Sequence, residues 1–114
     1  MQPEVVKLLR DILDSGESIQ QYTAGASFGE YEQSRMLRMA VEREMMIIGE
    51  ALNVALQKDP TLADIITDAR KIVGFRHILV HVYSLIDNER VWETITRDIP
   101  LLLAEVRALL PPAP

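Results

Sequence analysis

Several side chains in one short stretch of the sequence could take part in acid–base or phosphate chemistry: Arg76, His77, His81 and Tyr83. A histidine titrates near neutral pH and can accept or donate a proton, while an arginine presents a fixed cation in a planar fork that matches a phosphate. Arg76 and His81 are five residues apart, which on a straight helix separates them by roughly 140°. Aiming both at one atom would take a distortion near Gly74, side chains that wrap around the helix, or a twofold dimer, and we favour the dimer.

The two histidines could instead bind a metal, because His77 and His81 are four residues apart and would share one face of a helix. The sequence contains no cysteine and no further histidine, so carboxylates such as Asp87 or Glu89 would have to complete the ligand set. We therefore predict no metal site and no cofactor. The plainest alternative for His81 is a surface or interface histidine without a chemical role.

The elements that must position these residues are all predicted to be helices. Apolar residues recur at helical spacing over residues 3–22, 28–57, 68–83 and 101–110, with a short helical turn near residues 62–66. We expect an all-α, up-and-down bundle of four to five helices. Residues 1–110 should form a single domain, and residues 111–114 a proline-rich flexible tail.

Several residues mark where these helices begin or end. Ser27 and Glu30 have the spacing of a capping box, and Asp87 can cap the helix that follows it. The prolines have the opposite effect: Pro60 ends the long second helix, and Pro100 is expected to bend or break the last helical region, because proline lacks an amide donor.

Two charged residues fall on helix faces that should be apolar. Glu44 lies in the middle of the apolar face of the long helix, and Arg76 lies within the apolar face of the later helix. Because burying either charge alone is costly, a buried Glu44–Arg76 ion pair would explain both. Alternatively, these faces line a cleft or a subunit interface. Gly49 lies toward the border of the long helix's apolar face, where a missing side chain would let another backbone approach.

The composition limits where the chain can act. It has 114 residues, 48% of them hydrophobic, and a formal net charge of −5. No apolar run approaches the roughly 20 residues that cross a bilayer, and the N-terminus lacks an export signal, so we expect a cytoplasmic protein with no membrane partner. The net charge argues against broad affinity for nucleic acid. Any such site must be local, and Arg70, Lys71 and His77 supply positive character beside the motif.

Residues 76–83 carry the pattern Arg-x4-His-x-Tyr inside a predicted helix, and this pattern resembles the HEPN-domain toxins of the HepT family. Residues 40–51 are similar to that family's second-helix signature, and residues 86–100 are similar to its closing segments. The resemblance covers residues 22–110, and the three segments in register make it more specific than Arg-x4-His alone. The residue after the arginine, usually asparagine in the family, is His77 here.

The resemblance implies a metal-independent endoribonuclease toxin of a toxin–antitoxin system, usually dimeric and encoded beside a small nucleotidyltransferase antitoxin. It implies that Arg76 and His81 are catalytic and that the antitoxin adds AMP to the tyrosine of the motif, Tyr83. The protein would form a homodimer near the motif, or a larger complex with the antitoxin. The residue types are compatible with RNA cleavage, because RNA supplies its own 2′-hydroxyl nucleophile and the protein need supply only an acid, a base and positive charge.

Two other functions remain open from the sequence. The bundle could be a non-catalytic partner that binds or regulates a separate nucleotidyltransferase. It could also be a helical dimerisation scaffold in which Arg76 serves only as an ion-pair partner.

Overall fold

Helices of unequal length build the described part of the chain, which is residues 1–112 without the side chain of Tyr83. The computed structural model gives, in order, α1 (Pro3–Thr23), α2 (Phe28–Gln33), α3 (Arg35–Lys58), α4 (Leu62–Ile65), α5 (Ala69–His81), α6 (Asn88–Glu93) and α7 (Ile99–Leu109). A 3₁₀ turn (Tyr83–Leu85) follows α5, and a π turn (Thr94–Asp98) joins α6 to α7. No strand occurs in these residues, which confirms the predicted all-α bundle. Ala113 and Pro114, the end of the predicted flexible tail, lie outside the described residues.

The core lies where α1, α3, α5 and α7 meet. Helix α3 is central, because it packs against α1 on one side and α5 on the other, while α1 also packs against α7. Its inward positions recur every three or four residues, which gives a face wide enough for two neighbours. The fully buried side chains of these helices include Leu9, Ile12, Met45, Ile48, Leu52, Ile72, Leu102 and Leu103. None of the described helices has the length and apolar character needed to cross a membrane.

The capping box is present, but the long second helix is interrupted. Ser27 Oγ accepts a hydrogen bond from the Glu30 N–H at 3.1 Å, and Glu30 Oε1 accepts one from the Ser27 N–H at 3.2 Å. The prediction of one helix over residues 28–57 is wrong, because the backbone leaves the helical region at Ser34 (φ −98°, ψ 101°). The Ser34 hydroxyl accepts a hydrogen bond from the Leu37 N–H at 3.1 Å, so this serine begins α3 as a second N-cap.

The bend or break expected at Pro100 takes the form of the π turn. Proline offers no N–H, and inside an α-helix its ring collides with the carbonyl four residues earlier, here that of Thr96. In the structure the Ile99 N–H donates to the Thr94 carbonyl, five residues back. The wider turn therefore accommodates Pro100 while the chain continues from α6 into α7 without leaving the helical region.

An aromatic cluster joins α2 to α6. The Trp92 ring lies 6.2 Å from the Phe28 ring and 5.4 Å from the Tyr31 ring, between centroids. Tyr31 is completely buried, and its hydroxyl has no hydrogen-bond partner among the described residues. Burial raises the pKa of Tyr31 above its ordinary value, and the nearby Glu42 carboxylate adds to this effect. The cluster therefore contains one polar group that costs stability.

Replacing Tyr31 with phenylalanine is expected to leave the free energy of unfolding at pH 7 unchanged or to raise it by about 1 kcal/mol, because an unsatisfied buried hydroxyl is removed. In the unfolded chain a tyrosine loses its proton near pH 10, whereas the buried Tyr31 keeps its proton. Ionisation of Tyr31 therefore leaves the free energy of unfolding unchanged below about pH 10 and lowers it as the pH rises further, because only the unfolded chain loses the proton. Urea unfolding at pH 7 and pH 10.5 should show a smaller alkaline loss in Tyr31→Phe. An equal loss in both proteins would contradict this account.

Candidate active site

Helix α5 carries most of the predicted site residues, and its buried side chains determine which way the others face. The buried positions, at helical spacings of three and four, are Ala69, Ile72, Phe75 and Leu79. With these side chains in the core, Arg76 faces α3 and is half-buried, whereas His77 and His81 are exposed. The arginine and the motif histidine therefore lie on different sides of the same helix.

Arg76 is positioned by the glycine opposite it on α3. A methyl group at Gly49 would overlap the Arg76 Cβ and lie 2.8 Å from its Cγ, so the side-chain stem of the arginine rests directly on the α3 backbone. The approach expected at Gly49 is thus made by a side chain and not by a backbone. The Arg76 guanidinium then reaches Glu50, with 2.8 Å between Nη2 and Oε2. The two side chains are 28% and 54% exposed, so the pair is open to water.

The predicted ion pair between Glu44 and Arg76 is not formed. The Tyr22 hydroxyl donates a hydrogen bond to Glu44 Oε2 at 2.8 Å, and this bond raises the pKa of Tyr22. Glu44 precedes Gly49 by five residues, which places it roughly 140° around α3 from the point where Arg76 crosses. It therefore faces α1, and the partner of Arg76 is Glu50, which directly follows the glycine.

A shallow groove between α1, α3 and α5 opens beside the Arg76–Glu50 pair. This arginine groove has a volume of about 350 Å³ and is lined mainly by apolar side chains, including Leu8, Met46 and Val80. The guanidinium of Arg76 thus borders a space that solvent can enter. His81 is not among the described residues that line it, so this groove does not bring Arg76 and His81 of one chain together.

The two histidines form an exposed pair at the C-terminal end of α5. Their ring centroids are 4.8 Å apart, and His81 is the last residue of the helix. Asp87 accepts a hydrogen bond from the Glu89 N–H at 3.0 Å and so caps α6, as its position in the sequence predicts. Among residues 1–112, apart from the Tyr83 side chain, no cluster of His, Asp or Glu side chains could hold a metal ion.

The two basic residues predicted to support the motif differ in their surroundings. Lys71 Nζ lies 2.7 Å from Asp98 Oδ2, and that carboxylate is only 14% exposed, so Lys71 is engaged in a salt bridge to the π turn. Arg70 is exposed. On helical-wheel angles Arg70 shares the face of His77 and His81, whereas Lys71 lies about 100° away. The side chain of Tyr83, the predicted modification site, lies outside the described residues.

The close contact at Gly49 makes a testable prediction about stability. Gly49→Ala is expected to lower the free energy of unfolding by about 1–3 kcal/mol, because the new methyl group overlaps the Arg76 stem. Gly74→Ala, on α5, is the matched control, because no atom of the described residues lies within 4 Å of the new Cβ position. It should raise stability by up to about 1 kcal/mol, the usual gain of alanine over glycine in a helix. Thermal unfolding of both variants measures the difference, and equal shifts would contradict the proposed contact.

The fold and the site define a class: a small helical bundle in which one helix exposes a histidine pair and directs an arginine into a groove. A family model described as "Ribonuclease HepT-like" matches residues 12–109. The chain therefore belongs to the HepT-like ribonuclease family, which confirms the resemblance seen in the motif and its flanking segments.

Individual relatives agree with this membership. The chain is 33% identical over 107 residues to "Putative RNase MJ1380" of Methanocaldococcus jannaschii, covering 90% of this chain and 94% of the relative. It is 31% identical over 102 residues to "Putative RNase TTE0752" of Caldanaerobacter subterraneus, covering 90% of each. It is 29% identical over 101 residues to "Probable ribonuclease HepT" of Thermococcus cleftensis, covering 89% and 91%. No solved structure matches the chain.

Proposed function

We propose that this protein is an endoribonuclease that cleaves RNA without a metal ion and acts as the toxin of a toxin–antitoxin pair. The observation that carries the proposal is that α5 of this HepT-like chain exposes His81 to solvent while holding the Arg76 guanidinium at the mouth of a groove. In metal-free RNA cleavage an imidazole can transfer the protons and a guanidinium can stabilise the charge on the phosphoryl oxygens.

In the proposed reaction, one His81 imidazole removes the proton of a ribose 2′-hydroxyl. The 2′-oxygen attacks the adjacent phosphorus, and the bond from phosphorus to the 5′-oxygen of the next nucleotide breaks. A second imidazole, in its protonated form, gives its proton to that leaving oxygen. Arg76 stabilises the negative charge that builds up on the phosphoryl oxygens. The products are a 2′,3′-cyclic phosphate and a 5′-hydroxyl end.

A twofold dimer is part of the proposal, because one chain supplies one motif histidine and holds its arginine on another side of the helix. Exposed apolar residues near the arginine groove support self-association. Val80 lines the groove, and Met36 and Met39 continue along α3 from it; the three side chains are 39%, 83% and 45% exposed. Covering them in a dimer would remove apolar surface from water and could set the Arg76 of one protomer near the His81 of its partner.

The proposal also includes a nucleotidyltransferase antitoxin as partner, with Tyr83 as the residue that receives AMP. Transfer of AMP to a tyrosine would add a bulky, negatively charged group next to the motif. Such a group would repel an RNA phosphate and occupy space at the site, which is how a charge-adding modification inactivates a phosphate-binding surface.

The direct test is to incubate the purified protein with single-stranded RNA in excess EDTA. We expect cleavage that is undiminished by the chelator and yields 2′,3′-cyclic phosphate ends, identified by a phosphate that resists phosphatase until acid opens the ring. Cleavage that requires added Mg²⁺ or Mn²⁺, or 5′-phosphate products, would contradict the metal-free mechanism.

A second candidate function is a non-catalytic partner of a nucleotidyltransferase, and the Arg76–Glu50 pair favours it, since Arg76 already has an acidic neighbour. In that case the purified protein would cleave no RNA with or without metal, yet would bind the nucleotidyltransferase tightly. If the protein were a scaffold in which Arg76 only stabilises the fold through its ion pair with Glu50, Arg76→Ala and Glu50→Gln should each lower the melting temperature.

A further inference from the structure

A second groove opens between the C-terminal half of α3, α4 and α5. It has a volume of about 400 Å³, within the range of about 300–1,000 Å³ typical of small-molecule sites. Because two side-chain amides, those of Asn53 and Gln57, lie along one wall, we call it the amide groove. Arg70 stands at its edge, and the apolar residues Leu56 and Val73 also line it.

The polar groups of the amide groove are available to a ligand. None of the side-chain hydrogen bonds or salt bridges among the described residues uses Asn53, Gln57 or Arg70. The described residues that line the groove include no carboxylate, although the whole chain carries a net charge of −5. By contrast, the cleft beside Lys71 is lined by four carboxylates, including Asp87 and Asp98. The amide groove is therefore suited to an anionic ligand with polar edges.

The groove opens onto the face of α5 that carries the histidines. On helical-wheel angles Arg70, Gly74, His77 and His81 lie within about 60° of one another. Gly74 leaves this wall open, because no described atom lies within 4 Å of the position that a Cβ would take there. His81 is seven residues from Gly74, or about 10 Å along the helix axis. A nucleotide next to the one cleaved at His81 would lie within reach of the groove.

We infer that the amide groove binds one unpaired nucleobase of the RNA substrate next to the cleavage position and so sets a base preference. This inference rests on the proposed ribonuclease activity. The Asn53 and Gln57 amides each present donors and an acceptor to the hydrogen-bonding edge of the base. The apolar residues Leu56 and Val73 contact its face, and the Arg70 guanidinium pairs with the flanking phosphate or stacks on the base, as arginine does in recognition of single-stranded RNA.

The test compares cleavage of a random-sequence single-stranded RNA by the wild type and by an Asn53→Ala/Gln57→Ala variant, with sequencing of the ends produced. The wild type should show a base preference at one position next to the cut. The variant should lose that preference and raise KM by about tenfold, with a smaller effect on kcat. Gly74→Leu, which places a side chain in the open wall without an overlap at Cβ, should have the same effect by filling the groove.

Matched controls separate the groove from general effects. Gln20 is an exposed amide on α1, and Arg107 is an exposed arginine that pairs with Glu17. Gln20→Ala should leave both preference and KM unchanged, and Arg107→Ala should raise KM less than Arg70→Ala. If the wild type cleaves RNA but Asn53→Ala/Gln57→Ala and Gly74→Leu keep its preference and KM, the inference is overturned and the ribonuclease activity stands.

Binding gives a readout that does not need cleavage. Fluorescence anisotropy of a labelled single-stranded oligoribonucleotide is measured on His81→Ala protein with and without the Asn53→Ala/Gln57→Ala changes. We expect about tenfold weaker binding when the amides are removed. If the wild type cleaves nothing, the proposed function fails. If the His81→Ala protein binds the oligoribonucleotide equally well with and without the Asn53→Ala/Gln57→Ala changes, the amide groove does not bind a base, whatever the outcome for cleavage.

Discussion

The His81→Ala protein is expected to fold like the wild type and to cleave RNA at least about a hundredfold more slowly, the usual loss when a proton-transfer group is removed. His81 is exposed at the last residue of α5, so its truncation leaves no cavity in the core. The loss should therefore come from chemistry, because neither the 2′-hydroxyl nor the leaving oxygen would have its proton-transfer partner. Single-turnover cleavage in excess EDTA measures the rate, and thermal unfolding checks that the fold is kept.

The neighbouring histidine is the natural comparison for this experiment. The His77 and His81 rings are 4.8 Å apart and both are exposed, so the two alanine variants remove similar side chains from similar surroundings. We expect His77→Ala to lose much less activity, since His77 is assigned a supporting contact to RNA. If His77→Ala loses more activity than His81→Ala, the proton-transfer residue is His77. If His81→Ala cleaves RNA at the wild-type rate, His81 is not a catalytic residue.

Arg76→Lys is expected to slow cleavage by about 10²–10³-fold, a typical effect of losing one group that stabilises charge in the transition state. Lysine keeps the positive charge and much of the aliphatic stem that rests on Gly49, but it lacks the planar fork that contacts two phosphate oxygens at once. The melting temperature should change little for the same reason. The measurement is kcat and KM on single-stranded RNA, beside the melting temperature of each protein.

Arg107→Lys is the matched control for this substitution. Arg107 is also partly exposed and has an acidic neighbour, with 3.7 Å between its Nη2 and Glu17 Oε2, but it lies on α7 away from the histidines. It should leave the rate of cleavage unchanged. If Arg76→Lys cleaves as fast as Arg107→Lys, Arg76 is only an ion-pair partner of Glu50 and its assigned role in stabilising the transition state is wrong.

The sequence predicted correctly that one helix carries Arg76 and His81, but it predicted the wrong ion-pair partner for Arg76. The spacing of the buried residues on α5 is enough to show that Arg76 and His81 face different ways. A helical wheel, however, gives the angle of a residue and not the height at which a neighbouring helix crosses. Glu44 therefore looked like the partner of Arg76, whereas the crossing occurs at Gly49 and selects Glu50. The glycine was the informative residue, because a missing side chain marks a close approach.

The sequence predicted the helix ends that depend on local signals, but not the break that depends on packing between helices. Prolines and the Ser27–Glu30 capping box act locally, so the sequence alone located the helix ends that depend on them. The break at Ser34 depends on tertiary packing: α2 must turn so that Tyr31 reaches Trp92, 5.4 Å away between ring centroids. Ser34 has the chemistry of an N-cap, but no proline accompanies it, and local propensity alone does not decide whether a serine begins a helix or lies inside one.

The π turn before α7 limits where this chain can gain or lose a residue. The buried residues Val91, Ile95 and Ile99 are spaced by four and four, a repeat that drifts by about 80° over two turns of a regular α-helix. The additional residue in the wide turn cancels much of this drift and returns the apolar stripe of α7 to the core. Deleting one residue from 94–98 would restore ordinary helical pairing yet rotate Leu102 and Leu103 out of phase with α1. The segment therefore sets the rotational phase of the whole C-terminal helix, and single-residue insertions or deletions should be tolerated in loops long before they are tolerated here.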